Sequence, residues 1–475
     1  MFLSAINEVD YDSYDYLKRI VGDNDCLAPD GNRGYLYESR THVYGSAAMI
    51  LRPRDIEVLS QILTYCHDKR IGIIPYGGGS GLVGGHTYIG MESYPAPIVI
   101  SMEHFNDVEA VDITSMSVTC GAGVRLAEVQ VAAEHQGCKF PLDMASRDVC
   151  TIGGTLATNA GGLKVLRYGA MRTLCLGVEA VFPCGERFSN LSTLYKDNTG
   201  YDISGLLIGS EGTLGIITRA TLRLYAHCID NVTTALMAID NPDGAIAIMR
   251  ILQCKLNNTI STFELISPQS IELLRAYNDA AVHVVDIPSC WYVLLEVDGY
   301  PKEYVEEVLG CVCQGSIIKR GYIAQSEGQR VSFWKLREML PAANRYRGAI
   351  ASHDISLPLG CISDFIHKTE RLIDAIIPDV VIGCFGHVGD GNLHYNVFPP
   401  KSHTASKYYD RKDDISNIVY DTVTSYNGSI SAEHGIGRSK KNLFYAHVCK
   451  GKISLMKSIK KALDPHGIMN PGNLL

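Results

Sequence analysis

The chain contains no run of about 20 consecutive apolar residues, the length that a membrane-spanning helix requires. Basic residues are not in excess either: 51 acidic and 43 basic side chains give a net charge of −8, which argues against a nucleic-acid partner. The acidic N-terminus, with Glu8, Asp10 and Asp12, lacks the pattern of a signal or transit peptide. We therefore expect a cytoplasmic globular protein without a transmembrane segment; the mitochondrial matrix is the alternative location if the source is eukaryotic.

Several common cofactor and metal motifs are also missing. None of the 15 cysteines forms a CxxC pair, and the closest two are Cys311 and Cys313, so free thiols in a reducing compartment are expected. The glycine loop at residues 77–81 is not followed by Gly-Lys-Ser or Gly-Lys-Thr, so it is not a Walker loop. This loop is not expected to be the GxGxxG fingerprint of a βαβ unit, which disfavours a nicotinamide dinucleotide.

The length of 475 residues exceeds what one ordinary core supports, so two or three domains are expected. Residues 1–43 have the pattern of a helical lead-in, and residues 44–226 combine short strands and helices with glycine-rich loops. Residues 227–440 show longer alternations of strand and helix, and residues 441–475 carry a last helix. Apolar spacing predicts a helix over 56–69, and short apolar runs predict strands at 117–121 and 291–297.

Two histidines flank a turn sequence in the second half of the chain. Asp390-Gly391 favours a two-residue type I′ turn, which needs φ > 0 at both central positions. Counting outward from this turn places His387 opposite His394, with Cβ atoms about 4.5–5.5 Å apart, and Asn396 on the same face. Two imidazoles at that distance suit one divalent metal ion, for which Glu433 is the candidate oxygen ligand. The alternative is a polar hairpin whose histidines lie at the surface.

Loops of small residues recur in the first half of the chain. The loop at 75–82 follows a predicted strand, so its backbone N–H groups can point at an anion. Taken alone, this loop is explained about as well by a flexible turn. Further small-residue loops at 146–162, 196–202 and 209–215 favour a long ligand held against the main chain.

Together these loops resemble the FAD-binding domain of the vanillyl-alcohol oxidase / p-cresol methylhydroxylase superfamily. The closer resemblance is to its FAD-linked D-2-hydroxy-acid dehydrogenases, which include D-lactate dehydrogenase, D-2-hydroxyglutarate dehydrogenase and the flavin subunit of glycolate oxidase. It extends from about residue 44 to the segment Ile468-Met469-Asn470-Pro471-Gly472.

The resemblance implies an α+β fold with two main domains. Residues 44–226 would form a two-subdomain FAD-binding domain of the p-cresol methylhydroxylase type. Residues 227–440 would form an α+β substrate (cap) domain with an antiparallel sheet and the metal site, and residues 441–475 would return to the FAD domain.

The resemblance also implies which residues hold FAD, without a covalent link. They come from three segments, 75–82, 144–161 and 209–217, and from one position near the C-terminus. These residues are Pro75, Gly77, Gly78, Gly79, Ser80, Gly81, Leu82, Ser146, Thr151, Gly153, Gly154, Thr158, Asn159, Gly161, Glu211, Gly212, Gly215, Ile217 and Asn470.

Family members similar to this chain bind zinc or manganese through two histidines and a glutamate, which match His387, His394 and Glu433. The implied role of the ion is to bind the carboxylate and α-hydroxyl of a small 2-hydroxy acid and to lower the pKa of that hydroxyl. The substrate would give a hydride from C2 to the flavin N5. The electron acceptor that follows is not identified by the sequence; a quinone, a cytochrome, an electron-transfer flavoprotein and oxygen are all compatible.

Three further side chains receive roles from the resemblance. His434 is expected to take the hydroxyl proton as a general base, or else to support the neighbouring ligand by a hydrogen bond. Arg337 is expected to clamp the substrate carboxylate with its planar fork. Asn396 is expected to add a polar contact to the substrate.

The far end of the substrate site departs from one branch of the family. D-2-Hydroxyglutarate dehydrogenases carry a threonine and a lysine for the distal carboxylate, where this chain has Pro341 and Ser352. Neither residue supplies a positive charge, so a smaller acid such as D-lactate is favoured. Arg345, Arg347 or His353 could compensate for the missing lysine.

Two other classes of function fit parts of the pattern. A metal-dependent hydrolase could use the histidine pair and Glu433 while the glycine loops bind a nucleotide substrate. A catalytically silent flavoprotein could serve as a scaffold. A flavin spectrum in the purified protein separates the first of these from a dehydrogenase.

Overall fold

The structure is a computed structural model that describes residues 6–90, 94–227, 232–282, 290–313 and 317–475. The chain divides into two compact units. The first is formed by the described residues of Met1–Gly162, Gly169–His227 and Glu433–Leu475. The second is formed by those of Leu163–Tyr168 and Cys228–Ala432.

The strands of the described ranges, in chain order, are β1 Cys26–Leu27, β2 Tyr37–Glu38, β3 Val43–Tyr44, β4 Met49–Leu51, β5 Ile73–Tyr76, β6 Ile98–Ser101, β7 Ser117–Gly121, β8 Cys138–Lys139, β9 Cys175–Val181, β10 Arg187–Asn190, β11 Ile216–Arg223, β12 Tyr225–Ala226, β13 Val232–Ile239, β14 Ile260–Ile266, β15 Trp291–Asp298, β16 Ile318–Ile323, β17 Ala351–Ser356, β18 Val381–Gly386 and β19 Asn392–Phe398.

The α-helices of the same ranges are α1 Tyr11–Val21, α2 Ile56–Lys69, α3 Leu126–Glu134, α4 Ile152–Ala157, α5 Val165–Tyr168, α6 Met171–Leu174, α7 Ile203–Leu207, α8 Pro242–Leu256, α9 Pro268–Tyr277, α10 Asp279–Val282, α11 Lys302–Cys313, α12 Glu327–Glu338, α13 Leu340–Arg347, α14 Ile362–Asp374, α15 Lys412–Ser425, α16 Lys441–His447 and α17 Lys450–Leu463. None of these helices combines the length and the apolar composition needed to cross a membrane.

The first unit is built mainly on two sheets, each with four described strands. Their strand orders are β1-β4-β6-β5 and β10-β9-β11-β7. In the first sheet β6 pairs in parallel with both β4 and β5, whereas the second is antiparallel throughout. Because parallel sheets are buried on both faces, β6 is apolar and fully buried.

Helix α2 covers the parallel sheet, and its bounds are those predicted from apolar spacing. Asp55 caps its N-terminus by accepting a hydrogen bond from the Val58 N–H at 2.8 Å. Leu59, Ile62 and Leu63 are fully buried in a core shared with the sheet. Strand β7 likewise has its predicted bounds.

The last segment of the chain joins the same sheet. The Ile73 N–H donates to the Ile468 carbonyl at 2.8 Å, and the Asn470 N–H donates to the Ile73 carbonyl at 2.7 Å. Asn470 is thereby held beside the first residue of β5, the strand that leads into the glycine loop.

The second unit is organised around an antiparallel sheet with seven described strands in the order β16-β13-β15-β14-β18-β19-β17. Strand β15 contains the predicted strand 291–297 and extends to Asp298. Strands β14 and β15 are buried almost throughout, so the polar residues within them have only protein groups around them. The four predicted domain limits remain predictions; the compact second unit ends at Ala432 and includes Leu163–Tyr168.

All 14 cysteines that the structure describes are free thiols. Burial raises the pKa of the Cys120 thiol to about 12, and that of Cys66 is raised further for the same reason. Such thiols act as small apolar side chains.

Candidate active site

In the first unit, the loop at residues 75–82 lies against the segment that begins α4. A Cβ built on Gly77 would lie 2.5 Å from Thr151 Oγ1, and one built on Gly78 would lie 2.1 Å from the Val149 carbonyl oxygen. Because real Cβ atoms do not approach other atoms so closely, only glycine allows these two segments to touch.

The third predicted FAD segment meets the same loop. Gly212 contacts the Pro75 ring, with a Cβ position 3.1 Å from Pro75 Cγ. The Glu211 N–H donates to the Ala157 carbonyl at 2.7 Å. The structure therefore brings together all three predicted FAD segments within one unit.

The main chain of the glycine loop retains donors that no protein group uses. Among the described residues, none accepts a hydrogen bond from the backbone N–H groups of residues 77–82. Residues 77–81 are nevertheless partly buried, where unused donors are uncommon. Successive free N–H groups in a glycine loop form a concave anion site, which fits the pyrophosphate of FAD.

The side chains of Glu211 and Asn470, both predicted cofactor residues, are occupied by the protein. The Glu211 carboxylate accepts hydrogen bonds from the Ile436 and Gly437 N–H groups at 2.8 and 2.7 Å. Burial raises the pKa of Glu211, while these donors lower it. Asn470 Nδ2 donates to the Gly85 and Glu211 carbonyls, at 2.9 Å each. Both side chains thus hold the C-terminal segment beside the glycine loop.

The other predicted FAD residues belong to the same three segments. Partly exposed are Ser146, Gly153, Gly154, Thr158, Asn159 and Gly161, whereas Gly215 and Ile217 are buried. Which of them touch a bound cofactor remains a prediction.

In the second unit, the turn between β18 and β19 differs from the predicted one. Strand β18 ends at Gly386, residues Val388–Asp390 form a 3-10 turn, and only Gly391 has a left-handed φ, of 87°. The type I′ turn and the pairing of His387 with His394 were therefore wrong; the residue opposite His394 is Phe385. The reason is a long-range contact: a Cβ on Gly391 would lie 2.3 Å from the Leu357 carbonyl oxygen, so another segment of the same chain shapes the turn.

The two histidines nevertheless meet. Their ring centroids are 5.6 Å apart at an interplanar angle of 80°. Glu433 directly follows Ala432, the last residue of this unit. One ligand atom from each of His387, His394 and Glu433 lies within 4.8 Å of the other two. Two imidazoles and a carboxylate at this spacing fit a divalent ion such as zinc.

Strand pairing places much of this site on one face of the sheet. His394 pairs with Phe385 on β18 and with Asp354 on β17, and Phe385 pairs with Ile266 on β14. Because cross-strand partners share a face and successive residues alternate, Glu264, two residues before Ile266, lies on that face too.

Glu264 was missed by the sequence reasoning. It is completely buried, and its carboxylate accepts hydrogen bonds from His387 Nδ1 and from Arg337 Nε. Burial alone would raise the pKa of Glu264, but the charges of Arg337 and His387 lower it to about 2. The carboxylate is thus ionised, so Nδ1 of His387 must be the donor, and Nε2 is the atom that would bind a metal. An acidic residue inside the apolar run Ile260–Ile266 was the available signal.

Arg337 is buried and extends from α12 over the same face. Its guanidinium carbon lies 4.7 Å from the centroid of the Phe385 ring. Only Nε is engaged, by Glu264; in the part of the chain that the structure describes, the two terminal nitrogens donate no hydrogen bond. The fork is therefore held at one end and open at the other.

An acidic side chain also lies near His394. Its Nδ1 lies 3.9 Å from Asp354 Oδ1, and that oxygen accepts a hydrogen bond from Asn392 Nδ2 at 2.9 Å. Burial raises the pKa of Asp390 in the turn to about 6, although the charge of His387 opposes this.

Two further predicted site residues, His434 and Asn396, are close in sequence to the proposed metal ligands. His434 Nε2 is 3.5 Å from Glu433 Oε1. Asn396 is buried two residues after His394, and its Nδ2 donates to the Gly383 and His394 carbonyls at 3.3 and 3.2 Å. Its amide nitrogen is thus occupied by the main chain.

The predicted far end of the substrate site is on the edge strand β17. Ser352 pairs with Asn396 and is exposed. His353 points to the opposite face, where Nδ1 contacts the Tyr395 carbonyl and Nε2 contacts Ser416. The Arg347 guanidinium donates to three backbone carbonyls between residues 399 and 403. His353 and Arg347 are thus engaged elsewhere and do not replace the missing lysine. Arg345 is exposed on α13.

Two family models match successive parts of the chain. A family model described as "FAD binding domain" matches residues 47–189. A second, described as "FAD linked oxidases, C-terminal domain", matches residues 230–474.

Similar proteins cover nearly the whole chain. A mitochondrial D-2-hydroxyglutarate dehydrogenase of Danio rerio is 36% identical over 433 residues, which is 90% of this chain and 78% of that protein. A D-2-hydroxyglutarate dehydrogenase of Stutzerimonas stutzeri is 32% identical over 466 residues, covering 97% and 98%.

A solved structure of p-cresol methylhydroxylase with substrate bound matches 99% of this chain and 98% of its own, with a TM-score of 0.74 at 13% identity. This likeness confirms the predicted α+β fold with a flavin domain of the p-cresol methylhydroxylase type. The chain belongs to the FAD-linked D-2-hydroxy-acid dehydrogenases of the vanillyl-alcohol oxidase / p-cresol methylhydroxylase superfamily.

Proposed function

We propose that this protein oxidises a small D-2-hydroxy acid, with D-lactate favoured, to the 2-keto acid, using FAD and a divalent ion, zinc or manganese. The observation that carries the proposal is the ligand set of His387, His394 and Glu433, whose donor atoms lie within 4.8 Å of one another. Arg337 is tied to the same set through Glu264.

The residues present fit both groups. The unused N–H groups of residues 77–82 would hold the FAD pyrophosphate, and bound FAD supplies an acceptor for the C2 hydride. A bound divalent ion supplies Lewis acidity toward the hydroxyl and carboxylate oxygens. The glycine loop would supply backbone donors to FAD, and the ligand set would supply three atoms to the ion.

The protein side chains then position the acid and move its proton. The two terminal nitrogens of Arg337 form a planar fork for the C1 carboxylate, while Glu264 and the Phe385 ring keep the guanidinium in place. His434 takes the hydroxyl proton as general base. Its position next to Glu433 in the chain keeps that imidazole beside the ligand set.

The side chains on and near the edge strand β17 bear on the size of the substrate. Ser352 and Pro341 offer no positive charge for a second carboxylate, and His353 and Arg347 are engaged elsewhere. This favours D-lactate. The second candidate is D-2-hydroxyglutarate, because the Danio rerio and Stutzerimonas stutzeri relatives carry that name.

The natural electron acceptor is proposed to be a quinone, a cytochrome or an electron-transfer flavoprotein. The cytoplasmic location remains a prediction; the Danio rerio relative is named as mitochondrial.

The test is a substrate panel with an artificial dye as electron acceptor. Purified protein should be yellow and should reduce the dye with D-lactate faster than with D-2-hydroxyglutarate or glycolate, and not with L-lactate. A faster rate with D-2-hydroxyglutarate would select the second candidate. A colourless protein that cleaves a nucleotide substrate in the presence of zinc would instead indicate the hydrolase.

A further inference from the structure

Two buried glutamates lie on the same face of the seven-stranded sheet. Glu264 on β14 is fully buried and Glu296 on β15 is 3% exposed. Strand pairing sets Thr262 opposite Glu296 and Glu264 opposite Leu294, which places the two carboxylates two residues apart along the sheet. A buried carboxylate costs free energy unless it is fully paired, so each should have a specific set of partners.

Both glutamates take an arginine from helix α12, but their other partners differ. Glu296 accepts hydrogen bonds from Arg330, from Trp334 Nε1 and from Thr234 Oγ1. Arg330 and Trp334 hold helix α12 to the sheet, and Thr234 lies on the neighbouring strand β13, so Glu296 has a purely architectural set of contacts.

Glu264 instead divides its two oxygens between two functional groups. Oε1 accepts from His387 Nδ1, and Oε2 accepts from Arg337 Nε. His387 is a proposed metal ligand and Arg337 is the proposed clamp for the substrate carboxylate. These partners are 123 and 73 residues away in the sequence, so a single carboxylate fixes two elements that are otherwise independent.

We infer that Glu264 is a positioning residue that sets the metal ligand His387 and the carboxylate clamp Arg337 in one arrangement. On the His387 side it fixes the tautomer, so that Nε2 faces the ion. On the Arg337 side it immobilises Nε, so that the two terminal nitrogens form the open fork. The inference rests on the proposed function, because both partners receive their roles there.

The consequence is that metal binding and substrate binding share one support. Loss of the Glu264 charge should weaken both, whereas loss of the Glu296 charge should loosen only the attachment of α12. Removal of a hydrogen-bond partner of a metal-ligating histidine typically lowers metal affinity by about 10- to 100-fold. A merely structural glutamate would not change the two binding constants together.

The experiment compares Glu264→Gln, Glu264→Asp, Glu296→Gln and His387→Ala with the wild type as FAD-loaded, metal-free protein. Isothermal titration of the metal-free protein with Mn²⁺ alone gives the metal dissociation constant, and dye-linked turnover of the preferred D-2-hydroxy acid, measured after saturation with Mn²⁺, gives KM and kcat separately. Glu264→Gln should weaken Mn²⁺ binding by about 10- to 100-fold and raise KM more than it lowers kcat. Glu296→Gln should lose thermal stability but keep both constants.

The outcomes separate this inference from the function on which it rests. Wild-type Mn²⁺ binding in His387→Ala would refute the metal site itself, and the inference with it. Loss of binding in His387→Ala together with wild-type constants in Glu264→Gln would overturn the role of Glu264 alone. If Glu264→Gln does not fold, Glu264→Asp decides: it keeps the charge but is too short to reach both partners, so unchanged Mn²⁺ affinity and KM in that variant would contradict the inference.

Discussion

In the glycine loop of the first unit, the groups available to a ligand belong to the main chain, whereas on the sheet of the second unit they belong to side chains. The loop at residues 77–82 offers backbone N–H groups, and its glycines are required by close contacts such as that of Gly78 with Val149. The sheet offers His387, His394 and Arg337, each fixed by a neighbouring residue. We therefore expect the loop to lose its ligand when a side chain is added, and the sheet to lose its ligand when a side chain is removed.

The largest effect is expected from adding a methyl group to the loop. Gly78→Ala would bring a Cβ to 2.1 Å from the Val149 carbonyl oxygen, so the loop must shift and the N–H groups lose their common direction. We expect the purified variant to contain no FAD and to be inactive, as measured by flavin content per protein. Gly34→Ala is the control, since nothing lies within 4 Å of that position. Full flavin content in Gly78→Ala would remove the loop from the cofactor site.

Removal of a side chain from the sheet should have the next largest effect. His387→Ala takes away one of the three proposed metal ligands, and we expect kcat/KM to fall by about 10⁴-fold, since a Lewis acid contributes several kcal/mol. FAD content should stay unchanged, because the flavin site lies in the other unit. His367→Ala on α14, which is exposed, is the matched control. Loss of FAD in His387→Ala would break the contrast between the two regions.

His434 should matter for the proton alone. We expect His434→Ala to lower kcat by about 10²- to 10³-fold, within the usual range for loss of a general base, while FAD and Mn²⁺ remain bound. His135→Ala, an exposed histidine of the first unit, controls for the loss of an imidazole. Unchanged turnover in His434→Ala would show that another group takes the proton.

The smallest effect concerns substrate choice at the edge strand. Ser352→Lys adds a positive charge next to Asn396 in the pairing of β17 with β19. We expect the ratio of kcat/KM for D-2-hydroxyglutarate to that for D-lactate to rise by about tenfold, since a charge-assisted contact is worth about 1.5 kcal/mol or more. Ser352→Met, of similar length without charge, should leave the ratio unchanged. An equal rise in Ser352→Met would mean that chain length, not charge, controls the choice.

The sequence predicted the local elements of this molecule well and its long-range contacts less well. Helix α2 and strand β7 have their predicted bounds because apolar spacing and the Asp55 cap act within a few residues. The small-residue loops were recognised from the sequence and their assignment to FAD came from the family resemblance, whereas their mutual contacts are visible only in the fold.

The turn at residues 387–391 shows where local rules stop. Asp390-Gly391 favours a type I′ turn in isolation, but the carbonyl of Leu357, the residue after β17, approaches Gly391 and a different turn results. The histidines still meet, because His387 reaches back from the 3-10 turn toward His394. Glu264 was not predicted for a related reason: its two partners are distant in the sequence.

The most direct test of the account is anaerobic mixing of the FAD-loaded, metal-replete protein with D-lactate, followed through the visible absorption of the flavin. We predict that D-lactate bleaches this absorption, that L-lactate does not, and that exhaustive chelation abolishes the bleaching until zinc or manganese is restored. Absence of bleaching with every D-2-hydroxy acid, or bleaching that is unchanged after chelation, would contradict it.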